Sequence, residues 1–306
     1  MASGLRVRSV LGSLAGVLLA GAGLVGCGGG ETAVARGDRL WADSNYAAAL
    51  AEYRLALRQG GDEEAWLRVA HAFAETGQLE RAQESYGRLL DRAPEYTDQA
   101  VFDYLTVARR ALQRGDRYRM ASAVEAIHAL RPGLPVPDMA AALARYYAET
   151  GATAQALLYY EQALAHARPD SAPPLLYEMA LIHEAEKNCQ DAIVYFEMYR
   201  QRAPAGERAA DARWRMGRCA FELAVQAREA GRPTEALAHL ATVLALRVPE
   251  HLQDQAWFER GEALLALGDR DGALAAFRRV LELSVTRSSP LAIRARERID
   301  QIRFGE

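Results

Sequence analysis

The sequence predicts an all-α chain built as an elongated helical array, and three observations carry that reading. Ala is the commonest residue, 61 of 306, while Pro is scarce at 11, and Ala has the highest helix propensity. No strand-like alternation of useful length occurs. A pattern of small, aromatic and glycine residues recurs every 33–44 residues. Half the residues are apolar, which rules out wholesale disorder. The formal charge of −3 gives no general drive towards nucleic acid.

Residues 1–26 read as a secretory signal rather than as part of the fold. Arg6 and Arg8 form a positive n-region, and Ser9 to Gly26 is uninterrupted small and apolar sequence. An uncleaved anchor is the alternative, because the stretch approaches a membrane span in length. Its ending, Leu24-Val25-Gly26-Cys27, resembles the lipobox of bacterial lipoproteins. The resemblance implies that Cys27 is lipidated and that residues 1–26 are removed. Residues 27–31, with Gly28, Gly29 and Gly30, then form a flexible tether. Gly28 rather than Asp follows the cysteine, and the resemblance implies from this an outer-membrane location facing the periplasm. No later run of about 18 apolar residues offers a second anchor. From Cys27 onward the chain has 35 basic and 40 acidic side chains, a formal charge of −5. Gly21–Gly26 spells GxGxxG, but that motif needs a strand before it and a helix after it. Inside a signal peptide it carries no weight.

The clearest copy of the repeat is Trp66, Val69, Ala70, Phe73, Gly77, Leu79, Ala82, Tyr86, Leu89 and Pro94. Ala70 and Ala82 let two antiparallel helices approach, and Trp66, Phe73 and Tyr86 fill the space around them. Gly77 turns the chain and Pro94 ends the second helix. These offsets resemble the tetratricopeptide repeat. Other copies stand in phase: Gly37, Tyr46, Ala49, Tyr53 and Ala56; Ala108, Gly115, Met120, Val124 and Pro132; Ala144, Tyr147, Gly151, Ala156, Tyr160 and Ala163; Ala180, Ala192, Phe196 and Pro204; Gly231, Ala236 and Leu240; Trp257, Gly261, Gly268, Ala273 and Phe277. The anchors 49, 82, 120, 156, 192, 236 and 273 are 33, 38, 36, 36, 44 and 37 residues apart. The resemblance implies a right-handed superhelical solenoid of about seven helix pairs over 32–306. The longer spacings predict longer loops or helices in the C-terminal half, with the first helix of the sixth pair extended by about two turns. Residues 289–303 read as a capping helix with Ile293, Ile299 and Ile302 inward and the charges from Arg294 to Asp300 outward. Arg131–Pro137 is the best candidate for a hinge, and an inter-repeat turn explains it equally well.

Catalytic signatures are missing. None of the six histidines sits in HExxH, and there is no Walker loop, GxSxG, EF-hand loop or CxxC. No pair of carboxylates is marked as an acid–base dyad. The chain is accordingly read as a non-enzyme with no cofactor and no metal, an unrecognised site being the alternative. Cys189 and Cys219 would lie on adjacent antiparallel helices, Cys189 facing residue 222 and Cys219 one turn away. Two separate buried thiols are the favoured reading and a disulfide the alternative. Arg109, Arg110, Arg114, Arg117 and Arg119 form the densest basic run. Helical spacing scatters them, so a solvated surface is expected, a partner patch being the other reading.

The resemblance implies a protein-binding groove lined by the first helix of each pair. The repeat phase places Trp41, Leu67, His71, Phe102, Leu105, Arg109, Arg145, Tyr177 and Phe258 there, and aromatic and Arg side chains suit an interaction surface. The Lys and Asn clamp of chaperone-binding members is missing at these positions. In Pro204, Ala210-Asp211-Ala212, Gly217 and Gly231–Ala236, the C-terminal half resembles the lipoprotein of the β-barrel assembly machinery. It resembles the Tol–Pal coordinator almost as well. The expected role is a lipid-anchored scaffold for envelope proteins. Pilotin-like, polysaccharide-export and peptidoglycan-synthase scaffolds are alternatives. No small-molecule substrate is expected.

Overall fold

The computed structural model describes residues 31–284 and 289–305. The segment expected to be a signal peptide, Cys27 and the GxGxxG look-alike lie outside the described residues. The described residues form fifteen α-helices and two short 3-10 turns, with no strand among them.

The helices run in seven pairs. The first three are Ala33–Ala42 (α1) with Tyr46–Arg58 (α2), Glu63–Glu75 (α3) with Leu79–Leu90 (α4), and Thr97–Arg114 (α5) with Arg117–Leu130 (α6). Pro137–Glu149 (α7) pairs with Thr153–Ala165 (α8), and Ala172–Ala185 (α9) with Cys189–Arg202 (α10). Ala209–Glu229 (α11) pairs with Pro233–Leu246 (α12), and Gln253–Ala266 (α13) with Arg270–Leu283 (α14). Pro290–Phe304 (α15) is left unpaired and packs on α13 and α14 as the cap.

The backbone sets the phase of the array. Within each pair the turn holds one residue at positive φ: Ser44, Gly77, Gly115, Gly151, Lys187, Gly231 and Gly268, between 59° and 81°. A left-handed residue ends the first helix and reverses the chain. Five residues on stand the anchors Ala49, Ala82, Met120, Ala156, Ala192, Ala236 and Ala273, each at 0% exposure. Twelve residues before each anchor the facing helix carries Gly37, Ala70, Ala108, Ala144, Ala180, Ala224 or Gly261, all buried. Small residues on both sides let the two backbones close in six of the pairs, and in the third Met120 faces Ala108. Glycine replaces alanine at 37 and 261 because a Cβ there would overlap the rings of Tyr53 and Phe277. Each such ring, buried four residues after the anchor, contributes about 1.5–3 kcal/mol of transfer free energy.

The longer spacings resolve into helix length. α11 spans 21 residues against 14 for α10, the extension of about two turns that the spacing of 44 implied. The spacing of 38 is absorbed in the N-terminal half, by an 18-residue α5 and the 3-10 turn Pro94–Tyr96 before it. Lengthening is therefore not confined to the C-terminal half. Residues 131–136 form an inter-repeat turn packed against its neighbours. Val136 is buried in the core shared by the flanking repeats, and Leu134 O lies 2.9 Å from His128 Nε2. In the cap, Ile299 and Ile302 face inward as expected. Ile293 does not: it is exposed, and Ala292 and Ala295 take the buried positions because only small residues fit so close to the last pair.

The two cysteines are not separate thiols. Cys189 at the start of α10 and Cys219 in α11 form a disulfide, with Cα atoms 5.0 Å apart, inside the usual range. The antiparallel count did place Glu222 opposite Cys189, with its carboxylate 3.5 Å from Sγ. A side chain one turn removed still reaches across two helices in such close contact.

Candidate partner-binding site

First helices of successive pairs touch one another, α3 on α5, α5 on α7 and α11 on α13, with α15 continuing the row on α13. Polar side chains about one repeat apart in sequence bridge this row. Arg68 Nε donates to Asp38 at 2.9 Å, and Arg110 Nη1 donates to Glu75 at 2.5 Å. Arg145 Nε donates to Glu178 at 2.9 Å, and Arg298 Nε donates to Glu262 at 2.7 Å. Arg228 donates to Glu259. Two of the carboxylates are buried, and a buried charge persists only when fully partnered. Glu184 accepts from both Arg215 and Arg218. Asp103, 3% exposed, accepts from Tyr86 OH, from Gln99 Nε2 at 2.9 Å and from His71 Nδ1 at 2.7 Å.

The hydrogen bond to Asp103 raises the His71 pKa above the ordinary imidazole value, although burial opposes it. Burial, with the Asp103 charge and its hydrogen bond, pushes the Tyr86 phenol far up, so Tyr86 remains a donor. Burial and the Asp211 carboxylate push Tyr177 up to about 12. For Asp211, burial acts to raise the pKa. The hydrogen bonds from Tyr177 and Arg215 outweigh it, and the net direction is down.

Of the nine residues expected in the groove, three are exposed and four are half-buried. Trp41 is half-buried, its ring 5.2 Å from the imidazole of His71 and 4.7 Å from Tyr46. Phe102, one residue before Asp103, is 59% exposed. Leu67 and Leu105 are half-buried against the core. Arg109 is exposed, 3.9 Å from Asp138, and Arg145 is held by Glu178. Trp41, His71 and Asp103 are thus brought together from α1, α3 and α5.

Two of the nine are not groove residues. Tyr177 is buried, its hydroxyl donating to Asp211 and its ring packed on Phe196 and Tyr199. The extra turns at the start of α11 cover it. Phe258 is 2% exposed, packed on Phe277 and roofed by Arg294 of the cap, 4.4 Å from its centroid. In the basic run, Arg109, Arg110, Arg117 and Arg119 each have a carboxylate partner, which fits a solvated face. The sequence reading missed Asp103, Glu178 and Glu184. Opposite charges recurring one repeat apart were the signal that could have found them.

Among the described residues, no group of three or more His, Cys, Asp or Glu side chains could hold a metal ion. Among the same residues, no helix is long and apolar enough to cross a membrane.

Three segments match family models described as tetratricopeptide repeat: residues 63–96, 140–173 and 221–290. No curated protein sequence matches the chain. Among solved structures, the C-terminal part of a TPR repeat-containing protein from Cytophaga hutchinsonii is 16% identical. That match covers 85% of this chain and 98% of that one, with a TM-score of 0.34. A tetratricopeptide repeat protein from Parabacteroides merdae is 12% identical over 89% of this chain and 97% of that one, with a TM-score of 0.32. YrrB, described as a TPR protein with an unusual peptide-binding site, is 18% identical over 71% of this chain and all of its own, with a TM-score of 0.31. Superpositions this loose bear on neither the partner nor the role of this chain. In the three matched segments the chain carries the tetratricopeptide repeat, and with it the architecture of a protein–protein interaction scaffold.

Proposed function

We propose that the chain is a lipid-anchored scaffold of the bacterial envelope, held through Cys27 at the outer membrane and facing the periplasm. It would hold a segment of a partner protein against the first helices of its N-terminal repeats. The observation that carries the partner surface is the packed ring pair Trp41–His71, joining α1 and α3, together with Phe102, which is exposed on α5. Aromatic side chains that reach the surface, set among anchored polar groups, are a usual composition of a binding hot spot. The lipobox-like ending at Cys27 supports the anchor. The Cys189–Cys219 disulfide supports an oxidising compartment.

Within that role a barrel-assembly scaffold is favoured, on the likeness of the C-terminal half. The pilotin-like and polysaccharide-export or peptidoglycan-synthase scaffolds remain as the second reading. Crosslinking and affinity purification from intact membranes tests the choice. Recovery of barrel-assembly subunits supports the favoured role, and recovery of pilus or secretin subunits replaces it. The Trp41→Ala/Phe102→Ala variant should lose the recovered partner while keeping its helix content. A Cys27→Ala protein that stays with the membrane would overturn the anchor.

A further inference from the structure

An open cavity lies between α2 and α4 over one flank of α3. Its volume is about 420 Å³, within the size range of ligand sites. Trp66 and Phe73 of α3 form an apolar floor, and Arg54, Arg58, Arg81 and Arg88 stand around it. Glu84 is the one acid in its lining, in a chain whose formal charge is −3.

Two of the four arginines are held by neighbours, and two have no partner among the described residues. Arg88 donates to Glu84 at 2.6 Å and lies over the Trp66 ring, 5.5 Å from its centroid. Arg81 donates only to the Gln78 amide and lies over the Phe73 ring at 5.8 Å. Among the described residues the guanidinium groups of Arg54 and Arg58 have no hydrogen-bond or ion-pair partner. A guanidinium held over a ring still offers its in-plane donors, which match a carboxylate in two-point fashion.

We infer that this cavity is a docking site for an acidic segment of a protein partner, one that places an apolar or aromatic side chain between carboxylates. The apolar side chain would rest on Trp66 and Phe73. The carboxylates would meet Arg54 and Arg58, whose guanidinium groups have no ion-pair partner among the described residues. A flat anionic surface satisfies the rim but leaves the floor unfilled, which favours a polypeptide over a membrane. The site is separate from the Trp41–His71–Phe102 face and does not depend on where the chain is anchored.

The test is selection from a random-peptide display library on the folded chain, followed by anisotropy titration of the enriched peptides. Enriched sequences should carry Asp or Glu flanking an aromatic or branched apolar residue. Arg54→Gln/Arg58→Gln should weaken their binding about tenfold, and added salt should weaken the wild-type complex. Arg278→Gln, exposed on α14 and outside both surfaces, should leave the affinity unchanged. No enrichment, enrichment of neutral or basic peptides, or an affinity indifferent to Arg54→Gln/Arg58→Gln overturns the inference. So does binding confined to phosphatidylglycerol vesicles. Both variants lie at exposed positions, and unchanged circular dichroism would show that the fold is kept.

Discussion

His71 Nδ1 lies 2.7 Å from Asp103 Oδ2, joining the first helix of the second repeat to that of the third. Asp103 is buried, so the bond holds an imidazole in register beneath Trp41 while satisfying a charge that water does not reach.

This pair makes stability depend on pH in a defined direction. Folding raises the His71 pKa, chiefly through the hydrogen bond to Asp103. Its stabilisation is therefore complete below the unfolded value, about 6.5, and is lost as pH rises through the native value. The urea midpoint of the wild type should exceed that of His71→Gln most at about pH 5.5, and the gap should narrow by about pH 8.5. A gap that widens over that range contradicts the assignment.

Lys187 and Ser44 occupy left-handed turn positions where the other five repeats have glycine. A non-glycine residue there costs about 1–2 kcal/mol. Lys187→Gly should raise stability by about 1 kcal/mol, and Gly77→Ala should lower it by a similar amount. Chemical denaturation read by circular dichroism measures both.

Gly217 lies against the turn that follows α12, where a Cβ would overlap the carbonyl oxygen of Val248. Gly217→Ala should cost about 1–3 kcal/mol, because neither backbone can yield without opening α11. An unchanged denaturation midpoint would mean that the two segments are further apart than described.

The Cys189–Cys219 disulfide closes a loop of 30 residues. Reduction should lower stability by about 3 kcal/mol. Intact mass without reductant should fall two hydrogen atoms short of the dithiol mass. A Cys189→Ser/Cys219→Ser variant whose midpoint does not respond to reductant completes the check.

The phase of the array was legible because it rests on local rules. A small residue must meet a small residue where backbones close, as at Ala70 and Ala82, and a left-handed residue must precede the second helix. The groove was legible only in part, since exposure is a property of what covers a side chain. Tyr177 and Phe258 stand at repeat positions that would face solvent in a uniform array. The extension of α11 and the arrival of the cap hide them, and neither event is written at those two residues. The disulfide was weighed against free thiols because an antiparallel count fixes height along a helix and not the reach of a side chain across it. Ile293 was misplaced for a related reason: at the cap, contact distance outranked hydrophobicity and selected Ala292 and Ala295.

The disulfide also bears on how the array would answer force. Stretched between its two ends, a solenoid held by nearest-neighbour contacts yields one repeat at a time. The covalent link between α10 and α11 withholds about 100 Å of contour from that extension, the length of 30 fully drawn residues. A single-molecule pulling trace would shorten by that amount in oxidised protein. The molecule would therefore be least extensible in its middle, with a compliant arm on either side.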